Sequence, residues 1–398
     1  VPEPDRPAGP PGSRLTGIDV ARSFALFGMM ATHILTGPDE DRGAMGAAHE
    51  IAGGRAAALF AVLAGVGLAL ASGGDRPTPE KVARTRRTTL IRALALLAIG
   101  LTLGMVQTPV AIILCYYGVL FLAAIPVLAW RVRWLALLAA GCAIGTPLLS
   151  YWLRGEVGLD EAPGSNLDWT SLTDPVAAVR HLLLTGYYPV LTWTTYLFAG
   201  IAVGRVALRR PRVALSVAGI GAVLASVAWV VSELAVRAAG GFPALVNTGL
   251  LSRYSSDGRT PNSGFFGTSP VDDPWWLLVR VAHSGSITDL VHTVGTSMLV
   301  IGLTLAAVQA LSRRGEPRPV VRVPLHMLAA AGSMTLTLYC LHVLAVGANS
   351  NQNIAPWPYL ALNIVGAIII ALLWGAPRRR GPIEEAIASA ASGATGYR

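Results

Sequence analysis

The sequence predicts an all-α fold: a polytopic membrane protein with about ten transmembrane helices and both termini cytoplasmic. Three observations predict it. Hydrophobic residues make up 53% of the 398-residue chain and charged residues only 13%, a balance far from that of a soluble protein of this length. Ten apolar stretches are long enough to cross a bilayer. The basic residues are segregated onto alternate connections between those stretches.

Taken in order, the first apolar stretch covers about 15–35. It follows the Pro-rich "VPEPDRPAGPPGSR", which reads as a disordered cytoplasmic tail over 1–14 with no small-residue cleavage site, so no cleavable signal peptide is expected. Further runs follow at about 55–72, 88–106, 109–129, 134–153, 188–207, 213–236, 286–311, 324–346 and 356–375. Together they read as one transmembrane domain over 15–376 with a cytoplasmic tail at 377–398. Two outer connections are long, 154–187 and 237–285. The second holds "SRYSSDGRTPNSGFFGTSPVDDPWW", whose paired tryptophans suit a loop docked at the interface.

A formal charge of +9 raises the question of nucleic acid, and the distribution of that charge answers it. Of 31 basic residues, 22 lie on one set of connections and the tails, eight lie on the other set, and Arg22 sits inside a span. The opposite connections carry "PDED", "EVGLDEAPGSNLD" and "VDDP". The positive-inside rule then places both termini in the cytoplasm of a multi-pass inner-membrane (plasma-membrane) protein, with no nucleic-acid partner. Cys115, Cys142 and Cys340 fall in spans at unrelated spacings and suggest neither a disulfide framework nor a zinc site.

Within the first span, "GIDVARSFALFGMMATHI", Asp19 and Arg22 are three apart and therefore neighbours on a helix surface. His33 follows Arg22 by eleven positions, which returns it to nearly the same face about 16 Å along the axis. Charged groups inside a bilayer are costly, so such a stripe is a functional-site hypothesis by default. Its alternative reading is helix glue, an ion pair and a hydrogen-bonded imidazole that lock packing.

The stripe resembles the first-helix signature of integral-membrane acyltransferases, an arginine and a histidine separated by ten residues. More broadly, "RLTGIDVARSFALFGMMATH", "GRAAALFAVLAGVGLAL", "TGYYPVLTWTTYLFAGIAVGR", "GSMTLTLYCLHVL" and "RRRGPIEEAI" are similar to YeiB-like bacterial membrane proteins, relatives of heparan-alpha-glucosaminide N-acetyltransferase. The resemblance implies transfer of an acyl group, usually acetyl, from cytoplasmic acetyl-CoA or another acyl-CoA to an outward-facing glycan, glycolipid or lipid-linked acceptor. His33 then serves as base or acyl carrier, with Arg22 and Asp19 organising the donor channel. In the heparan enzyme the catalytic histidine lies in the outer loop after the first span, and its nearest counterpart here is His49 in "GAAHEIAGGR", followed by Arg55. His33 and His49 therefore compete for the role.

Other candidates come from spacing and placement. His342 lies three positions after Tyr339 in the ninth span, and Asp289 and His292, three apart, open the eighth; these are expected to line the acceptor side. Tyr187 and Tyr188 of "GYYPVLTW" are an interface anchor or a sugar-stacking pair. Arg84, Arg86, Arg87, Arg209 and Arg210 are candidates for the phosphates of an acyl-CoA, or simply topological determinants. No metal is expected. Two other classes stay open: a transporter or flippase of an anionic lipid or metabolite, and a non-catalytic scaffold presenting its long outer loop. Oligomeric state is not legible in the sequence.

Overall fold

A computed structural model describes residues 15–36, 43–159, 165–250, 265–313, 319–349, 354–376 and 379–393. The proposed N-terminal tail, "PDED" and most of "SRYSSDGRTPNSGFFGTSP" lie outside the described residues. The described chain is helical, with no strand: α1 (Thr16–Ile34), α2 (Gly43–Ala52), α3 (Arg55–Ala71), α4 (Pro79–Gly104), α5 (Leu114–Ala124), α6 (Val132–Val157), α7 (Pro175–Arg180) and α8 (Val190–Gly204). After these come α9 (Pro211–Glu233), α10 (Gly241–Asn247), α11 (Ile287–Arg313), α12 (Pro319–Ser333), α13 (Thr335–Ala348), α14 (Pro356–Leu373) and α15 (Pro382–Gly393).

Every apolar stretch of the sequence is largely helical, but the stretches are unequal as membrane spans. Among the described residues six helical segments are long and apolar enough to cross a bilayer: Gly43–Ala71, Pro79–Gly104, Val132–Val157, Pro211–Ala238, Ile287–Arg313 and Pro356–Leu373. The 15 residues of α8 rise only about 22 Å against a hydrocarbon core of about 30 Å. The predicted fourth span starts later than expected, at Leu114, because 106–113 is largely non-helical. Its second half is buried at Val110, Ile112 and Ile113, and side chains satisfy the backbone there, as non-helical chain inside a bilayer would require. Asn166 Oδ1 accepts from Ile112 N (2.8 Å) and its Nδ2 donates to Val110 O (2.8 Å), while the Tyr188 hydroxyl donates to Ala111 O (3.3 Å).

The predicted ninth span, 324–346, is broken. It is two helices, α12 and α13, that meet at 79°. A helix start leaves its first amide N–H groups without partners, which hydropathy does not register. Here Glu384 of α15 supplies the acceptor: its carboxylate takes Leu336 N (2.8 Å), Thr337 N (3.2 Å) and the Thr337 hydroxyl (2.5 Å). The negative charge at a helix N-terminus adds a favourable dipole interaction.

The centre of the molecule is α1, which packs against α3, α11, α12, α13 and α14. Such crowding relies on small residues, since helices in lipid gain little from hydrophobicity and associate by close backbone approach. A Cβ on Gly332, at the end of α12, would lie 1.7 Å from Asp19 O of α1, and a Cβ on Gly200 of α8 would lie 2.0 Å from Val62 O of α3. Both crossings therefore need glycine.

Candidate functional site

At one end of α1, Arg22 Nη1 donates to Asp19 Oδ1 at 2.9 Å. Asp19 is buried, and as an acid in the first helical turn it also meets the positive end of the helix dipole. Gly67 of α3 leaves room for the Arg22 guanidinium, whose Nη2 would lie 3.3 Å from a Cβ there. Arg92 of α4 lies within electrostatic range of both Arg22 and Arg380.

At the other end of α1, three side chains from three helices form one chain of hydrogen bonds. His33 Nδ1 is 3.1 Å from His342 Nε2 of α13, with the two rings stacked at 5.4 Å, and His342 Nδ1 is 3.0 Å from Asn363 Oδ1 of α14. Asn363 Nδ2 donates to Tyr359 O at 2.9 Å. That last bond fixes the rest. A backbone carbonyl only accepts, so the amide nitrogen faces it and the amide oxygen faces His342. The oxygen in turn requires a proton on His342 Nδ1. With both rings neutral, His342 Nε2 is then a lone pair, His33 Nδ1 carries the proton that bonds it, and His33 Nε2 is left as a free base. His33 also lines a cavity of about 60 Å3 together with Thr36, Pro109, Asn349, Pro356 and Tyr359. A half-buried imidazole with its tautomer set and a lone pair to spare is suited to take a proton from a nucleophile.

Comparison with protein families matches residues 14–234 to the catalytic domain of heparan-alpha-glucosaminide N-acetyltransferase. The chain belongs to this family. Comparison with curated protein sequences finds no match. The region matched to the N-acetyltransferase family holds Asp19, Arg22, His33, His49 and Arg55, whereas Asp289, His292, Tyr339, His342 and Asn363 lie beyond it.

The competing histidine of the N-acetyltransferase resemblance, His49, is close by. It sits on α2, its Nε2 donates to Leu35 O at 2.8 Å just past the end of α1, and both it and His283 lie within electrostatic range of His33. Arg55, at the start of α3, donates to Glu50 O. Asp289 lies in a second and smaller cavity of about 10 Å3, room for roughly one water, beside His283, Thr293, Tyr196, Trp193 and Gly285. Its carboxylate accepts from the Thr293 hydroxyl (3.2 Å) and from Gly285 N (3.3 Å). His283 has a positive φ of 61°, uncommon for a residue with a side chain and characteristic of functional loops. Burial, and then the charge of Arg55, push its pKa down to about 4, so it is neutral at physiological pH.

The structure does not bring all of the expected residues together. His292 Nδ1 donates to Ala225 O of α9 (3.0 Å), and the residue does not line the cavity that holds Asp289. Tyr339 is buried, and its hydroxyl accepts from Ile113 N (3.3 Å), which secures the connection into α5. Tyr188 is buried among Tyr116, Trp193 and His283, while Tyr187 packs edge-on against Phe266. Arg86 donates to Ile125 O (3.1 Å) and Pro126 O (3.2 Å) at the end of α5, whereas Arg84, Arg87, Arg209 and Arg210 are exposed. Among the described residues no group of three His, Cys, Asp or Glu side chains is placed to hold a metal.

Sequence reasoning passes over Asn363, Tyr359, His283 and Arg205. Asn363 and Tyr359 had a visible signal, a phenol and an amide four apart in the apolar "PWPYLALNIVGAIII". Arg205 reads as one more inner arginine, yet it is buried and donates to Ala69 O (3.0 Å), Gly74 O (2.9 Å), the Ser72 hydroxyl (2.9 Å) and Leu128 O, tying the ends of two helices together.

Proposed function

We propose that this protein is a membrane acetyltransferase that carries acetyl from a cytoplasmic acyl-CoA to a hydroxyl or amine of an outward-facing glycan, glycolipid or lipid-linked acceptor. In this reading the ten apolar segments all cross or line the bilayer, the termini face the cytoplasm, and α1 runs from an inner cationic end to an outer basic one. The observation that carries it is the bond chain His33–His342–Asn363, which leaves a free imidazole nitrogen at a cavity on the same helix as the Asp19–Arg22 pair. Family membership supports the acetyl group and its donor.

The residues have the following roles. Arg22, held by Asp19 and joined by Arg92 and Arg380, attracts the anionic part of the donor. His33 Nε2 takes the proton of the acceptor O–H or N–H as that atom attacks the acetyl carbonyl carbon. When the tetrahedral intermediate collapses, the carbon–sulfur bond breaks and the thiolate receives the proton from His33, giving acetylated acceptor and free CoA thiol. His342 and Asn363 keep the tautomer that makes this possible.

Isothermal titration of purified protein with acetyl-CoA tests the reading. Saturable binding is expected for the wild type, weakened at least tenfold in Arg22→Ala. Absence of binding up to millimolar donor by folded wild-type protein refutes it, and moves the same polar stripe to the transporter alternative.

A further inference from the structure

One residue lining the cavity beside His33 carries a polar atom that the roles above leave unused. Tyr359 lines this cavity, is 7% exposed, and its hydroxyl is buried with no hydrogen-bond partner among the described residues. A buried hydroxyl without a partner loses its hydration for nothing, a cost removed when an ordered water or a ligand supplies the missing bond. The hydroxyl is not there to hold the helix: the bond that ties Tyr359 to Asn363 comes from its backbone carbonyl. Phenylalanine would serve packing equally well.

We propose that the Tyr359 hydroxyl donates a hydrogen bond to the carbonyl oxygen of the acyl group, and so stabilises the oxyanion that forms when the acceptor attacks. The assignment rests on the acetyltransferase reading. Acyl transfer needs two functions at one carbonyl, a base for the nucleophile and a donor for the oxygen, and the donor must be held in place before the charge develops. Tyr359 meets the second condition through its own helix turn. Its backbone carbonyl fixes Asn363, Asn363 fixes His342, and His342 fixes His33, so base and phenol are referred to one rigid element. Atoms balance without a covalent role for the ring: the phenol keeps its proton and only lends it to the oxyanion.

Tyr359→Phe deletes the hydroxyl alone. Two measurements decide, the affinities of the variant and the wild type for acetyl-CoA and for CoA, and the transfer of radiolabelled acetyl from acetyl-CoA to envelope membranes. The expected result is that wild type binds acetyl-CoA about fivefold more tightly than CoA, the preference disappears in Tyr359→Phe with CoA affinity unchanged, and transfer falls about 100-fold. Unchanged transfer and unchanged preference, with a thermal midpoint equal to or above wild type, mean an idle hydroxyl and overturn the proposal alone. Wild-type protein that binds neither ligand overturns the acetyltransferase reading with it.

Discussion

Asn363→Leu is the sharpest probe of the hydrogen-bond chain, because it changes a group that lines neither cavity and acts through two proton positions. Asn363 Oδ1 is the acceptor that holds a proton on His342 Nδ1, at 3.0 Å. Leucine removes that acceptor and leaves a buried N–H without a partner, at a cost of about 1–3 kcal/mol. His342 escapes the cost by carrying its proton on Nε2 instead. That nitrogen faces His33 Nδ1 at 3.1 Å, so His33 must then accept there and carry its own proton on Nε2, where the free base had been. At 1.4 kcal/mol per tenfold, a bias of this size depletes the basic tautomer by roughly 5- to 150-fold. Turnover of labelled acetyl from acetyl-CoA into envelope membranes is therefore expected to fall by one to two orders of magnitude, with acetyl-CoA affinity unchanged. Asn363→Asp keeps an acceptor and is expected to keep the tautomer. Nitrogen-15 spectra of histidine-labelled protein in lipid read the proton positions directly. A wild type protonated at His33 Nε2, or an Asn363→Leu protein with unaltered turnover, refutes the reasoning.

Two further predictions concern the scaffold. Gly332→Ala places a methyl carbon where Asp19 O already lies 1.7 Å away, a backbone clash that no rotamer relieves, so folded protein recovered by size-exclusion chromatography is expected to be lost or its thermal midpoint sharply lowered. His283, in the segment ahead of α11, has a pKa of about 4 when folded against 6.5 when exposed, so the unfolded chain binds its proton first as pH falls. Its contribution is whole above about pH 6.5 and lost progressively down to about pH 4, a fall of order 3 kcal/mol. Thermal midpoints measured from pH 7.5 to 4 are expected to drop less steeply in His283→Gln than in the wild type, and parallel curves refute this.

How much of this was legible depends on whether a feature lies within one element or between several. The polar stripe of α1 was readable because its members share one helix, and a 3.6-residue period is enough to place Asp19, Arg22 and His33 on one face. Of the partner groups, His342 was visible as an intramembrane histidine, but its stacking on His33 depends on the orientation of α13, and that depends on a break in the chain. Hydropathy read 324–346 as one span because both halves are apolar. The start of α13 is satisfied by Glu384, some 48 positions away from Leu336, which no local signal reports. Spacing alone also joined His292 to Asp289, whereas the imidazole turns to Ala225 O on the neighbouring helix.

The break has a mechanical consequence for the site. Gly332 brings the end of α12 onto the backbone of Asp19, and the chain then turns by 79° so that α13 carries His342 to His33. One helix pair therefore touches α1 at both of its polar ends, at the residue that holds Arg22 and at the residue that carries the free nitrogen. A straight span could follow α1 along one side, but it would not both cross it at glycine contact and return beside it at imidazole distance. The Glu384 carboxylate that makes the break tolerable is for that reason part of how the site is assembled, although it touches neither cavity. The family match ends at 234, so the proposed base, His33, lies inside the matched region while the groups that set its proton lie outside it. The matched region alone supplies a histidine; the second half of the chain decides which of its nitrogens is basic.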